Sequence, residues 1–394
     1  MGLKIFSFFS GAGFLDLGFE SEGYEVVFAN EYHGPFLDAY QYARTRLDIQ
    51  PPKYGYHFGS ITDLLAHGPN HSLSEYVDES RKDGSLVGFI GGPPCPDFSV
   101  AGKNRGREGQ NGRLTKTFID LIIQQQPDFF LFENVKGLWK TKKHREYYEE
   151  VKAQLKTAGY EMTERLINAI EYGAPQDRER VILIGFRSKS FERTVDVESF
   201  NWIEKADFPD RAAFEYEWAE TSEFLPETEI SLPVGIPIKL TVEYWFRRND
   251  VDNHPNSRHF FQPRAGLARF LTVLEGDVTK KSSKRLHRWR FSPTAAYGNN
   301  EVHLHPYKAR RISVAEALAI QSLPKEFELP AYMTLSNMFK CVGNGVPFLA
   351  AKGLASALKE FISRNVKASD SPTKAGKSVQ VSVTRSMNGS MNSL

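Results

Sequence analysis

The sequence predicts an α/β protein with a mostly parallel sheet covered by helices on both faces. Two observations predict it. Through the first half, short apolar runs alternate with amphipathic stretches, as parallel strands joined by crossover helices require. Loops of Gly, Pro and polar residues follow several of those runs, where open α/β sheets bind ligands. In order, Leu3 to Phe9 reads as a strand, Phe14 to Glu22 as a helix and Tyr24 to Asn30 as a strand. Further strands are predicted at Leu86 to Gly91, Asp128 to Asn134 and Val181 to Phe186, with helices near Leu114 to Gln125 and His144 to Ala158.

After about Ser188 the apolar runs shorten, Pro and aromatic residues multiply, and the alternation is lost. It returns at Arg311, where Ile312, Ala315, Leu318, Ala319 and Leu323 form a helical apolar face. Ser313 and Glu316 make a capping-box pair at its start and Pro324 ends it. A last helix is expected from about Pro347 to Ile362, and the Ser-, Thr-, Asn- and Lys-rich tail from about Lys367 is expected to be disordered.

The chain has 394 residues, enough for two domains or one large domain with an insertion. With 41% hydrophobic and 25% charged residues and a mean hydropathy of -0.42, it reads as soluble and globular. No apolar run approaches the roughly 20 residues that span a bilayer. The start MGLKIF lacks the pattern of a secretory signal, so a cytoplasmic protein is expected. Two cysteines exclude a disulfide framework and a four-thiolate zinc site, and no metal is expected.

The motifs narrow the chemistry. Gly11 and Gly13 make a tight turn that brings backbone, and the helix N-terminus behind it, close to a ligand. It is not a dinucleotide fingerprint, whose third glycine would fall on Asp16. Glu31, at the end of the second strand, can accept hydrogen bonds from both ribose hydroxyls of an adenosine-type cofactor. Cys95 stands at the carboxyl end of a strand between Pro-Pro and Pro-Asp and is presented to a ligand, whereas Cys341 reads as a small buried hydrophobe. The loop that follows Cys95 holds four glycines and four Lys or Arg before Leu114, a composition suited to a mobile basic flap. Glu133 and Asn134 end another buried strand, beside the Cys95 loop if the two strands are neighbours. Gln176, Arg178 and Arg180 precede a strand, the two arginines on one side of an extended segment. Asn344, bracketed by glycines, is read as opening a helix near a ligand.

The ordered series SFFSGAG, Asn30-Glu31, GGPPC, ENV, QDRER, RRISVAEALAIQSLP and GNGVP resembles the cytosine carbon-5 DNA methyltransferases over nearly the whole chain to about residue 364. The resemblance implies a Rossmann-like, S-adenosylmethionine-dependent methyltransferase fold with a smaller irregular target-recognition domain. It places the catalytic domain at residues 1–187 and 330–364, target recognition at 188–329 and a disordered tail at 365–394. It implies that Phe9, Gly11, Ala12, Gly13, Glu31, Ser60, Ile61, Pro94 and Asn344 bind S-adenosylmethionine. Cys95 would be the nucleophile, Glu133 the acid that engages the base, and Arg178 and Arg180 the groups that hold base and loop. Duplex DNA would be the partner of a monomer, with a cognate restriction endonuclease sharing its target. Ser99, Lys103, Arg105, Arg113, Gln176, Arg247, Arg248, Arg258 and Arg264 are the candidate DNA contacts. Three departures stand out: Pro96 follows Cys95, Phe14 replaces a second glycine, and Ser60 replaces the Asp of Gly-Asp-Ile that contacts adenine.

The chemistry fits these residue types. Carbon 5 of cytosine is a poor nucleophile until a thiolate adds at carbon 6 while an acid engages nitrogen 3. Serine would be too weakly acidic for that task. The reacting base must leave the stack, and residues 97–113 are the expected flap that fills the space. A non-catalytic DNA-binding module, a transfer-RNA methylating enzyme and a nicotinamide oxidoreductase are the rivals. The near-neutral charge of +2 hides a cancellation. Residues 186–238 hold five Lys or Arg against twelve Asp or Glu, and 239–311 hold fifteen against six with five of the ten histidines. The second stretch is expected to meet phosphates.

Overall fold

The computed structural model describes residues 2–65, 72–94, 110–191, 195–263, 267–295, 297 and 301–365. Strand β1 (Leu3–Phe8) is buried along its length, and α1 (Phe14–Ser21) follows it across the glycine turn. Then come β2 (Glu25–Glu31), α2 (Gly34–Arg46), β3 (Tyr56–Phe58), α3 (Ser72–Arg81) and β4 (Leu86–Gly91). The order continues with α4 (Gln110–Gln125), β5 (Phe129–Val135), α5 (Lys136–Lys140), α6 (Lys142–Thr157), β6 (Tyr160–Asn168) and β7 (Glu179–Arg187).

These strands form one sheet in the order β3-β2-β1-β4-β5-β7-β6. All pairings from β3 to β5 are parallel, and β7 runs antiparallel to both its neighbours. The carboxyl ends of β1, β2, β4 and β5 therefore share one edge, which carries the glycine turn, Glu31, the GGPPC loop and Glu133.

One apolar cluster packs Ile5, Phe129, Ile184 and Phe186 against Leu354, Leu358 and Phe361 of α11 (Phe348–Asn365). A second, on the opposite face, packs Phe6, Phe8, Phe89, Phe130 and Phe132 against Phe118, Ile122 and Tyr148. Close approach fixes α1 on α11: a Cβ on Gly18 would stand 2.5 Å from that of Ala351.

Beyond β7 the chain is irregular, with short 3-10 turns, α7 (Val242–Arg248), α8 (Leu267–Thr272) and a two-stranded parallel pair, β8 (Lys284–Arg285) with β9 (His303–Leu304). Phe191, Val195, Phe200 and Trp202 still pack on the sheet's first cluster. Helix α9 (Val314–Ile320) starts on the expected capping box, with Ser313 Oγ accepting from Glu316 N and Ser313 N donating to Glu316. It stops before Pro324, at Ile320, and Ser322 takes a left-handed φ of 56°. Helix α10 (Leu335–Asn344) corrects the reading of Asn344: it ends a helix, and Gly345-Val346-Pro347 turns the chain into α11. No helix among the described residues is long and apolar enough to cross a membrane.

Candidate active site

The glycine turn begins the site. Phe9 (φ 54°), Gly11 (φ 57°) and Gly13 (φ 77°) are all left-handed, which bends the chain sharply from β1 into α1. The two glycines face different surroundings. A Cβ on Gly11 would meet nothing within 4 Å, whereas one on Gly13 would be driven into Arg44 Nη1 and stand 2.6 Å from the Tyr40 ring. Glu31, almost buried, is fixed by two backbone donors: Gly11 N donates to Oε2 and His33 N to Oε1, both at 2.8 Å. The carboxylate is thus oriented before any ligand arrives.

Beneath the turn lies a buried polar group that the sequence did not reveal. Asp16 accepts from Ser7 Oγ and from Tyr40 Oη, both at 2.8 Å. Arg44, fully buried, stacks 3.6 Å from the Tyr40 ring centroid and donates to Glu20 Oε2 at 2.8 Å. Burial raises the Asp16 carboxyl above its ordinary range and pushes Glu20 up to about 7, with Arg44 opposing both shifts. Five residues from three elements thereby tie β1, α1 and α2 together under Gly13.

The Ser60 hydroxyl is engaged as an acceptor. Ser60 caps the short turn Ile61–Leu64, with Oγ accepting from Thr62 N and Thr62 Oγ1, while its own N donates to Asp63 Oδ2 at 3.1 Å. A carboxylate therefore returns to this place from Asp63, three residues on. Ile61 is buried. Tyr32 and Phe58 are unusually exposed at 73% and 65%, one beside Glu31 and the other with its ring against Gly34. An aromatic residue directly after a strand-end carboxylate was the signal that could have found Tyr32.

Cys95, Ser99, Lys103, Arg105 and Arg264 lie outside the described residues, so the flap expected at 97–113 does too, up to position 109. Its approach is described. Strands β4 and β5 are neighbours, with Gly91 opposite Phe132, and Asn134 Nδ2 donates to Pro93 O at 3.4 Å. A Cβ on Gly92 would stand 2.5 Å from Glu133 Oε2, so that carboxylate lies against the backbone three residues before Cys95. Pro94 is half-buried. On the other side, the antiparallel register sets Val135 opposite Arg180, and Arg180 Nε stands 2.8 Å from Glu133 Oε1.

Arg178 and Arg180 reach different partners. Arg178, buried, donates to Ala295 O at 3.1 Å and Gly343 O at 2.8 Å, carbonyls from the irregular segment and from α10. Gln176 is fully buried: its Oε1 accepts from Ala295 N and its Nε2 donates to Gln321 Oε1 and Ile320 O. Its side-chain amide is thus spent within the protein, against the DNA contact expected of it. Asn344, exposed, follows the Gly343 that Arg178 holds.

The basic stretch 239–311 is less free than its charge count suggests. Arg247 pairs with Glu243 at 2.7 Å, Arg288 with Glu275 at 2.8 Å and Lys308 with Asp252 at 2.7 Å, and Lys284 pairs with Glu301. Arg285 is buried among the carbonyls of Val273, His305 and Phe270. Arg248, over the Trp245 ring, and Arg258 are exposed, as is Arg113 on α4.

A model of the family of C-5 cytosine-specific DNA methylases matches residues 3–360. The chain belongs to that family. This methyltransferase is 60% identical over 358 residues to the Type II methyltransferase M.NmeDI of Neisseria meningitidis serogroup C, covering 91% of this chain and 84% of that one. It is 29% identical to M.FnuDI of Fusobacterium nucleatum, covering 93% and 96%. Among solved structures, a protein described as a prophage-encoded DNA modification methyltransferase of E. coli has a TM-score of 0.61 at 21% identity, covering 92% of this chain and 100% of that one. The Dnmt2 methyltransferase of S. pombe has a TM-score of 0.56 at 12%, covering 92% and 99%. These two likenesses concern the fold, which is that of the methyltransferases.

Proposed function

We propose that the protein takes a cytosine out of duplex DNA and methylates its carbon 5, using S-adenosylmethionine, as the modification enzyme of a Type II restriction-modification system in the cytoplasm. The observation that carries this reading is the placement of Glu133: buried, against Gly92 of the Cys95 loop, and paired with Arg180. In this reading residues 1–187 and 330–364 catalyse and 188–329 recognise the target. Phe191, Val195, Phe200 and Trp202, and the apolar side chains of 312–329, pack on the catalytic core, so recognition proper is assigned to the stretch between them.

The cofactor-binding residues fit their ligand. Gly11 faces open space that a side chain would fill, and Glu31 is already oriented to accept from the two ribose hydroxyls. Tyr32 and Phe58 offer flat apolar surfaces at the same edge. S-adenosylmethionine, when bound, supplies an electrophilic methyl group. The chain's own groups do the rest. The Cys95 thiolate adds to carbon 6 of the flipped base, and Glu133 engages ring nitrogen 3 so that electron density reaches carbon 5. Loss of the carbon-5 proton after methylation expels the thiolate. Arg180 orients the Glu133 carboxylate, and Arg178, by donating to the Ala295 and Gly343 carbonyls, ties the irregular segment and α10 to the start of β7.

The test is incubation with labelled S-adenosylmethionine and mixed duplex DNA, followed by mapping of the modified cytosines. Duplex carrying 5-fluorocytosine should be trapped as a covalent adduct, and the Cys95→Ala variant should trap none. Trapping by that variant would sink the mechanism.

A further inference from the structure

Directly after the strand that carries Glu133, the chain runs Lys136, Lys140, Lys142, Lys143 and Arg145 within ten residues. Two of these cations are neutralised: Lys136 pairs with Glu179, and Arg145 with Glu149 at 2.5 Å and Glu164 at 3.1 Å. Lys140, Lys142 and Lys143 are exposed and pair with no carboxylate among the described residues. Nothing in the packing asks for them. Lys142 and Lys143 occupy the first two positions of α6, whose first turn holds no acidic residue and whose Thr141 cap makes no side-chain hydrogen bond. Cations there oppose the helix dipole, so they cost stability rather than add it. A local rule broken without a compensating contact marks a surface kept for something outside the chain.

The location says what that is. Helix α5 follows β5 without a loop, and its five residues advance about 7.5 Å. The path from Glu133 to Lys143 is therefore no longer than roughly 25 Å, a length of duplex along which about fifteen phosphates pass. Long, unpaired ammonium groups contact phosphate without regard to sequence. We propose that Lys140, Lys142 and Lys143 form a seat for the phosphate backbone of the duplex beside the target base, next to the end of the strand that carries Glu133. Several of the recognition segment's own cations are committed internally, among them Arg247, Lys284, Arg285, Arg288 and Lys308, so this seat adds phosphate contacts to those that the segment gives. The inference rests on the reading of the protein as an enzyme acting on duplex DNA.

The test uses the full chain and a fluorescent mixed-sequence duplex, with affinity measured by anisotropy across a range of salt. The variant Lys140→Gln/Lys142→Gln/Lys143→Gln should bind more weakly, and its slope of log affinity against log salt should be shallower by about 2 to 3. The second variant, Lys142→Glu/Lys143→Glu, should melt at a higher temperature, since acids suit a helix N-terminus, and yet bind duplex more weakly still. A purely structural role cannot give that combination. A wild-type slope in the triple variant, with wild-type protein binding well, overturns the seat and leaves the enzymatic reading intact. A wild-type chain that binds no duplex at all overturns the enzymatic reading and the seat with it.

Discussion

Two glycines in one turn should fail in different ways when given a methyl group. Both Gly11 (φ 57°) and Gly13 (φ 77°) would carry the left-handed strain of an alanine, about 1 kcal/mol after the gain from a stiffer unfolded chain. For Gly11 that is the whole cost to folding, because a Cβ there meets nothing within 4 Å. For Gly13 the Cβ would be forced into Arg44 Nη1 and the Tyr40 ring, both fully buried, which adds roughly 1–3 kcal/mol of overpacking. Gly13→Ala should thus lose about 2–4 kcal/mol, two to four times as much as Gly11→Ala. The order reverses for the cofactor. The new methyl of Gly11→Ala enters the space beside Glu31, and affinity for S-adenosylhomocysteine by calorimetry should drop at least about tenfold, or 1.4 kcal/mol. Thermal melting of both variants, with and without that ligand, separates the two effects. Equal destabilisation by the two substitutions, or unchanged affinity in Gly11→Ala, would refute the reasoning.

Three further outcomes are expected. Glu133→Gln should lower turnover about 10²- to 10⁴-fold while leaving S-adenosylhomocysteine affinity unchanged, a loss of cofactor binding being the contrary result. Burial pushes Glu20 up to about 7 from an ordinary 4.5, so the folded state keeps a proton that the unfolded state releases. Its contribution is then full below pH 4.5 and lost as pH rises to about 7, worth at most about 3 kcal/mol; Glu20→Gln should flatten stability measured across that window, and an unchanged profile would count against the burial argument. Burial also drives the Cys341 thiol far above its ordinary range, so the native protein should show one alkylatable cysteine, Cys95, and two after unfolding. A fast native reaction that disappears in Cys341→Ala would contradict this.

The parts legible in the sequence were those whose partners lie close along the chain or whose burial is complete. β1, β2, β4 and β5 read as apolar runs because they are covered on both faces, and the Ser313–Glu316 capping box is a local signature. β6 escaped because it is an edge strand: its middle six residues, from Glu161 to Leu166, are only half-buried and mix charged with apolar side chains. β3 has three residues, too few for a period. The apolar face of α2, with Phe36, Ala39, Tyr40 and Ala43 at helical spacing, carries a helical period in the sequence. At the site, the types of Glu31, Glu133 and Arg178 were legible but their partners were not. Arg180 meets Glu133 only through an antiparallel register, and Gln176 meets Ala295 across 119 positions. The excess of positive charge in residues 239–311 was legible, but which of its cations face solvent was not, because a count along the chain does not show where Arg247, Lys284, Arg288 and Lys308 find their carboxylates.

Under the proposed division of the chain, the return of the irregular segment to the sheet bears on any exchange of that segment between relatives. Ser292 N donates to Pro175 O, Asp177 N to Ser292 O, Thr294 Oγ1 to Asp177 O and Arg178 Nη1 to Ala295 O, so residues 292–295 run alongside 175–178 as one short ladder. A chimera cut inside that ladder would join half of a seam to a foreign half and lose the carbonyl that steadies Arg178. Cuts placed after Trp202 and before Ser292 would keep the seam native on both sides. The natural unit of transplantation is therefore shorter than the stretch without αβ alternation, and its ends are set by backbone pairing.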